Sequence, residues 1–343
     1  MNARLVCLLA ASLAALTAPA SAADNTPPEG FVALFNGQDF AGWHGVGTED
    51  PRKIQALTPE ERTKKFSDSL ADLAAHWKVD NGELVNDGKG LYMTTDKDYR
   101  DYELYVSWKL IAKGDSGVYL KGTPQVQIWD TTEEGGYHKL GADKGSGGLW
   151  NNSAGAPGKD PVLHADKPIG EWNTFRILQV GAVTSVYLND KLVVDHALLE
   201  NYFDRKLPLV AFGPVQLQTH GNEVRWKNIY IRELSSAEAT KFLRGSDEGF
   251  TSLFSGQDLQ GWQGPTENYE VVDGAIRCKP GKGGVLHTQN EYGDFTVRVE
   301  FKLPPGGNNG LAIRYPGAGD TAYVGMCELQ VLDTEHPKYA NLD

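Results

Sequence analysis

The stretch from Tyr119 to Asp130 sets a phenol, an amine, two side-chain amides, an indole and a carboxylate close together. Amides can hold the hydroxyls of a polar ligand, and a carboxylate can act as a base or hold a cation. An amine can stabilise an oxyanion. If the stretch is extended, Gln125, Gln127 and Trp129 share one face and Ile128 takes the other, because successive strand side chains alternate. Gln127 is then placed to hold hydroxyls, with Gln125 beside it, or to be paired within the sheet. Asp130 serves as a base or cation ligand, or caps the turn that follows. Tyr119 and Lys121 share a face on the preceding strand, with Lys121 either an oxyanion stabiliser or a surface lysine. His138, His164 and His220 lie in or beside Gly-containing loops, and an imidazole can carry a proton near neutral pH. Trp150, in Gly-Gly-Leu-Trp, offers a flat apolar side and a polar edge for a ring ligand, or packs in a core.

These groups need a scaffold, and the dominant pattern is alternation. Tyr102, Leu104, Val106, Trp108 and Leu110 line one face of a half-buried strand. Residues 175–180, 183–188, 191–195 and 224–232 read likewise, with Asn189-Asp190 as a two-residue hairpin turn. Helix is scarce. One is expected over residues 58–73, with Thr58 as N-cap and Pro59 at the first helical position, and a short one over 235–244. Trp43, Trp77, Trp108 and Trp172 are expected in the core. Many short strands with Gly-rich turns over roughly 200 residues imply an all-β fold, a two-sheet β-sandwich or jelly roll.

The chain also repeats itself. The run from Phe31 to Trp43 returns from Phe250 to Trp262, and the run from Gln125 to Asp130 returns from Glu328 to Asp333. A period this long implies a duplicated domain, since solenoid repeats run roughly 20–50 residues. The first copy is expected over residues 30–234, a linker over 235–249, and the N-terminal half of a second copy over 250–343. A segment from about Gly47 to Ala75 has no counterpart in the second copy. Half a sandwich leaves strand edges unpaired, so residues 250–343 are expected to continue in a longer natural chain or to fold poorly alone.

Residues 1–22 read as a secretory signal: a basic start, an apolar run too short to span a membrane, and the small residues Ala20-Ser-Ala22. The mature protein is therefore expected in a periplasmic or extracellular space, with no membrane span. Cys278 and Cys327 then remain, too few for a disulfide framework although the compartment permits a bond. The net charge of −12 argues against a nucleic-acid partner. No phosphate loop, dinucleotide fingerprint or nucleophile elbow is present. No Cys/His spacing suggests a metal site; acidic loop residues such as Asp115 and Asp160 leave calcium as the one cofactor to consider.

Several phrases in fixed order resemble one family. They are Leu-Phe-Asn-Gly-Gln-Asp…Gly-Trp ending at Trp43, Asp-Ser-Gly-Val-Tyr-Leu-Lys-Gly ending at Gly122, and Gln-Val-Gln-Ile-Trp-Asp ending at Asp130. Ser-Gly-Gly-Leu-Trp ending at Trp150, Lys-Pro-Ile-Gly-Glu-Trp-Asn ending at Asn173, Leu-Asn-Asp ending at Asp190, and Gly-Pro-Val-Gln-Leu-Gln-Thr-His-Gly ending at Gly221 follow. Together they resemble the 3-keto-disaccharide hydrolase family, whose fold is similar to the concanavalin A-like lectin/glucanase sandwich. The resemblance implies cleavage of glycosides oxidised at C3, supplied by a partner oxidoreductase. A C3 carbonyl acidifies the C2 hydrogen, so the glycosidic bond can break by elimination through an enolate, and water then adds back. Such a site needs a base, a donor for the enolate oxygen and a proton source; Asp130, His220, His138 and Lys121 are the catalytic candidates. Gln127, Tyr119, Gln125 and Trp150 are the substrate-binding ones. Members often carry Arg and Glu where the first copy has Lys121 and Gln125, and the second copy keeps that pair as Arg314 and Glu328, with Gln330, Asp333 and His336 nearby. The rival reading is a lectin-like carbohydrate-binding module, for which duplication supplies avidity; a third is a scaffold within a larger cell-surface protein.

Overall fold

The computed structural model describes residues 24–245, 248–321, 323–325, 327–333 and 336–339. The signal-peptide reading of residues 1–22 lies outside them. The chain divides into two compact units, Met1–Leu243 and Arg244–Asp343.

The first unit is a two-sheet β-sandwich. Its larger sheet runs in the order β11 (Lys191–Leu198), β10 (Val183–Leu188), β9 (Asn173–Val180), β6 (Tyr102–Leu110), β13 (Val224–Glu233), β4 (Glu83–Asn86), β3 (Trp77–Asp80), with β1 (Val32–Ala33) also on β13. The smaller sheet runs β2 (Trp43–Val46), β5 (Tyr92–Thr95), β12 (Gln216–Leu217), β7 (Asp115–Leu120), β8 (Thr123–Trp129), with antiparallel neighbours throughout. One apolar cluster joins them: Leu104, Val106, Phe175 and Ile177 from the larger sheet meet Met93, Val118, Val126 and Ile128 from the smaller. Asn189 and Asp190 adopt positive φ, 50° and 65°, in the turn that joins β10 to β11.

Three of the four core tryptophans are buried, Trp43 and Trp77 with indole N–H groups donating to Leu34 O at 2.6 Å and Leu91 O at 2.9 Å. Trp172 is the exception. It is half-buried beneath the ammonium groups of Lys109 and Lys227, each 4.6 Å from its ring centroid. It precedes β9, so the alternation that buries Phe175 does not reach it.

The segment absent from the second copy folds as α1 (Pro51–Gln55) and α2 (Pro59–His76). Thr58 caps α2 and Glu61 returns the bond to the Thr58 N–H, a reciprocal capping box. Helix α2 lies along the edge strand β2: Ser69 Oγ accepts from Gly45 N at 2.8 Å, and Leu73 closes the core. Adding a Cβ at Gly45 would place it 3.0 Å from Leu91 and 3.2 Å from Ser69, so a larger residue here would push these neighbours by a few tenths of an ångström. After β13 comes α3 (Ser236–Arg244).

The second unit contains three separate two-stranded ladders: β14 (Trp262–Gln263) with β17 (His287–Thr288), β15 (Tyr269–Val272) with β16 (Ala275–Cys278), and β18 (Asn308–Ile313) with β19 (Cys327–Leu332). Residues 295–303, the counterpart of β6, form no strand, and Phe301 is 67% exposed. In the first unit β6 is held on both sides, by β9 and β13; residues 250–343 carry no counterpart of either. Cys278 and Cys327 are free thiols.

Candidate active site

The face of the smaller sheet turned away from the core is polar and aromatic. Strand register sets His44 opposite Thr94, Thr94 opposite Gln216, and Gln216 opposite Tyr119. A neighbouring row holds Tyr92, Gln218 just past β12, Gly117 and Gln127; beyond it Asp115 pairs with Trp129. Sheet alternation alone brings these side chains to one side.

A chain of polar contacts runs along this face. Gln125 Nε2 donates to Gln127 Oε1, and Gln127 Nε2 donates to Asp115 Oδ1 at 2.8 Å. Asp115 Oδ2 then lies 3.5 Å from His220 Nδ1. Gly117 lets Gln125 lie flat across the strand: a Cβ there would come within 2.9 Å of the Gln125 amide carbon. Burial raises the Asp115 carboxyl above its ordinary value, against the opposing pull of His220 and the Gln127 bond. His220 itself is 54% exposed, at the open end of the chain. A carboxylate behind one imidazole nitrogen orients the ring and leaves the other nitrogen to exchange a proton with a ligand.

An aromatic wall stands beside this pair. Trp129 stacks on Tyr137 at 6.3 Å and meets Trp150 edge-on at 5.3 Å. Trp129 is pinned by its indole N–H to Gly145 O at 3.1 Å, and the Lys159 ammonium sits 4.1 Å from the Trp150 ring centroid. Across the face, Gln125, Gln216 and Gln218 each bury a carbonyl oxygen without a partner. A buried unpaired acceptor costs about 1–3 kcal/mol. Three on one face suit a ligand rich in hydroxyl donors. Tyr119 is edge-on to Tyr92, and its hydroxyl lies 3.2 Å from Thr48 Oγ1 of the helical insert.

Three of the four residues given catalytic roles from sequence do not join this cluster. Lys121 occupies the β7–β8 turn at φ +55°, where strand alternation has ended. Its ammonium is fully buried and donates to Gly181 O at 2.9 Å and Ala211 O at 3.0 Å. Asp130, one residue past β8, turns into its own loop and accepts from Lys113 N, Thr132 N and Thr132 Oγ1 at 2.7, 3.0 and 2.7 Å. Burial raises its carboxyl, but these bonds prevail and hold it below the ordinary range. His138 is exposed with Nε2 on Thr131 O, and His164 Nε2 meets Thr131 Oγ1. Of the four, only His220 lies in the cluster.

The second unit repeats the brace. Asp333 Oδ2 accepts from Gly306 N at 2.8 Å, and Asp333 N donates to Gly307 O, as Asp130 N donates to Gly114 O. Arg314 also has positive φ, 54°, and donates to Gly293 O. Gln330 Nε2 donates to Asn308 Oδ1 at 2.6 Å, where the first copy has Gln127 and Asp115. Glu328 is bound by Thr321 Oγ1. Asn308 in place of Asp115 leaves this hairpin without the carboxylate that faces an imidazole.

Because Asp130 secures three donors, Asp130→Ala is expected to lower the unfolding free energy by about 1–3 kcal/mol. Its carboxyl is depressed in the folded state, so the contribution is present above the ordinary value of 3.8 and fades as pH falls through the lower folded value. Urea unfolding at pH 7 and pH 3 checks both: the wild-type advantage should shrink at the lower pH.

Asp115 was considered in the sequence only as a calcium ligand, and Asp160 instead pairs with Lys144. Among the described residues no group of three or more His, Cys, Asp or Glu is placed to hold a metal ion. The residues that sequence reasoning missed are Gln216, Gln218 and Tyr137, and the Asp115–His220 pairing. Of these, only the Val-Gln-Leu-Gln-Thr-His phrase gave a signal, by setting Gln216, Gln218 and His220 at alternate positions.

Several known proteins are similar to this chain. A 3-keto-disaccharide hydrolase from Bacteroides thetaiotaomicron is 24% identical over 251 residues, spanning 60% of this chain and 79% of that protein. Two crystal structures of candidate glycosyl hydrolases from Parabacteroides distasonis are also similar. One is 21% identical with a TM-score of 0.41, covering 62% of this chain and 100% of that one. The other is 26% identical with a TM-score of 0.38, covering 47% and 91%. The 3-keto-α-glucoside-1,2-lyase-like domain matches residues 30–232 and 249–342, nearly the whole chain, and the protein belongs to that family.

Proposed function

We infer that the protein is a carbohydrate hydrolase, and that its first domain cleaves 3-keto glycosides by elimination followed by hydration. The observation that carries this reading is the Gln125–Gln127–Asp115–His220 chain beside an aromatic wall. His220 Nε2 takes the C2 proton while Asp115 favours the imidazolium that results. Electrons from the C2–H bond form the C1=C2 bond as the C1–oxygen bond breaks, by way of an enolate whose negative charge rests on the C3 oxygen. The side-chain amide of Gln218, in the same row, is assigned as the donor for that oxygen. The departing oxygen is protonated, and water adding across C1=C2 restores a 3-keto sugar, so the sum is hydrolysis. Trp129, Tyr137 and Trp150 hold the apolar side of a sugar ring. The substrate is an oxidised sugar, so a reaction that oxidises a C3 hydroxyl must precede this one. The signal-like start of the chain suits action outside the cytoplasm.

The test is incubation of the full chain with a 3-keto disaccharide in D2O, with and without a chelator. Release of monosaccharide carrying deuterium at C2, and no cleavage of the unoxidised disaccharide, is expected. Release with protium retained at C2 would replace elimination by direct hydrolysis. Binding without release would favour the lectin-like module.

A further inference from the structure

A pocket opens at the other end of the same sheet face, where the helical insert meets β2 and β5. Its apolar walls come from Val46, Ile54 and Pro214, and His44, Thr94 and Gln216 form its floor. About 360 Å3 of atom-free space lies between these walls, part of it open to solvent.

His44 is the unusual member. Its side chain is only 4% exposed, and its ring stacks on Phe66 of α2 with centroids 3.4 Å apart. Its Nδ1 lies 2.8 Å from Asp96 Oδ1. A carboxylate only accepts, so Nδ1 carries the proton and Nε2 is left as an acceptor. Burial lowers the affinity of this ring for a second proton, against the pull of Asp96. No residue hydrogen-bonds Nε2 among the described residues. Across the strand pair, Gln216 donates Nε2 to Thr94 Oγ1 at 3.0 Å and leaves its buried Oε1 without a partner. The pocket therefore presents two acceptors, one aromatic and one amide, that the fold itself does not satisfy.

The charges around the pocket are spent on one another. Arg62 pairs with Asp98 at 3.3 Å, and Glu49 with Lys65 at 2.7 Å. Neither an anion nor a cation finds an unpaired counter-charge among the lining residues, since Asp96 lies behind the imidazole, and Arg62 opposes a metal at His44. A ligand that suits two acceptors between apolar walls is uncharged and carries hydroxyl donors.

A second observation points the same way. In the second unit Gln263 is registered with His287 where the first has His44 registered with Thr94. The imidazole has changed strands but stays within the same cross-strand pair.

We propose that this pocket binds the hydroxyl-bearing edge of an uncharged ring, with His44 Nε2 and Gln216 Oε1 each accepting from a hydroxyl. A pyranose and a phenol both offer that chemistry. The site shares Gln216 with the face described above but does not include the Asp115–His220 pair, and it does not depend on the reaction assigned to that pair.

The test is direct binding to the full chain, without turnover. D-glucose and phenol are titrated separately while the imidazole nitrogen resonances are followed by NMR and the heat by calorimetry. One of the two should shift the His44 resonances, and the one that does so identifies the source. His44→Phe, which keeps the stack on Phe66, and Gln216→Leu should each weaken that binding by about fivefold to tenfold, the worth of one hydrogen bond. If His44→Phe does not fold, Gln216→Leu and the wild-type His44 resonances still decide. The proposal is overturned if neither probe shifts His44, if the folded variants bind as tightly as wild type, or if added zinc occupies the imidazole in preference to both rings.

Discussion

Turnover of a 3-keto disaccharide is expected to fall about 10²- to 10⁴-fold in His220→Asn, the usual worth of a positioned proton carrier. Asparagine keeps a polar side chain of similar reach but cannot carry a proton. Asp115→Asn should give a smaller loss, because Asp115 acts through the imidazole 3.5 Å away. Its deficit should lie in kcat with KM nearly unchanged, since the carboxylate favours a charge that forms only as the proton moves. A positioning role also predicts that Gln127→Leu, which releases Asp115 Oδ1, lowers kcat in the same sense. Wild-type turnover in folded His220→Asn would remove the proposed proton carrier. Deuterium entry at C2 would still report whether elimination is the route, so the site and the chemistry fail separately.

Lys121→Met is expected to flatten the alkaline side of the stability profile. Burial pushes the Lys121 amine down to about 8 from 10.5, with Asp101, 3.9 Å away, pulling it back up and Arg100 pushing it further down. Between those two values the unfolded chain holds a proton that the folded chain has released, so stability rises with pH across this window. The shift corresponds to roughly 2–4 kcal/mol. Below about pH 8 the buried ammonium retains its desolvation cost, offset by its bonds to Gly181 O and Ala211 O. Urea unfolding at pH 7, 9 and 10 should therefore show wild type gaining on Lys121→Met by that amount. Comparison with the variant cancels the titration of the tyrosines. A constant difference across the series would mean that the amine is solvated in the folded state.

Both predictions concern residues whose types were conspicuous in the sequence and whose neighbours were not. Alternation from Tyr102 to Leu110 fixed which side of β6 enters the core, because it depends only on residues two apart. Thr58 and Pro59 marked the start of α2 for the same local reason, and Gln125, Gln127 and Trp129 do share a face. Lys121 fits neither of its two readings, and Asp130 takes the turn-capping one, because each stands where a strand has just ended and alternation says nothing there. Trp172 is similar: a large aromatic one position outside the ladder is shielded by two lysines rather than buried. The Asp115–His220 contact joins residues on different strands far apart in sequence, and the His44–Asp96 contact depends on how β2 pairs with β5. No local pattern specifies either. Unpartnered carbonyls on Gln125, Gln216 and Gln218 are a property of the assembled face alone.

The helix that shields β2 also bears on how the open edge of a sheet is kept from pairing. Tethered segments meet at effective concentrations of about millimolar, and an open strand edge would accept the matching strand of a sibling as readily as its own. By satisfying the Gly45 amide with a serine hydroxyl and laying a full helix alongside, residues 59–76 cover that edge in the first unit. The insert thus leaves the outer side of β2 covered by a helix, so that strand does not present a bare row of backbone groups for a further strand to join.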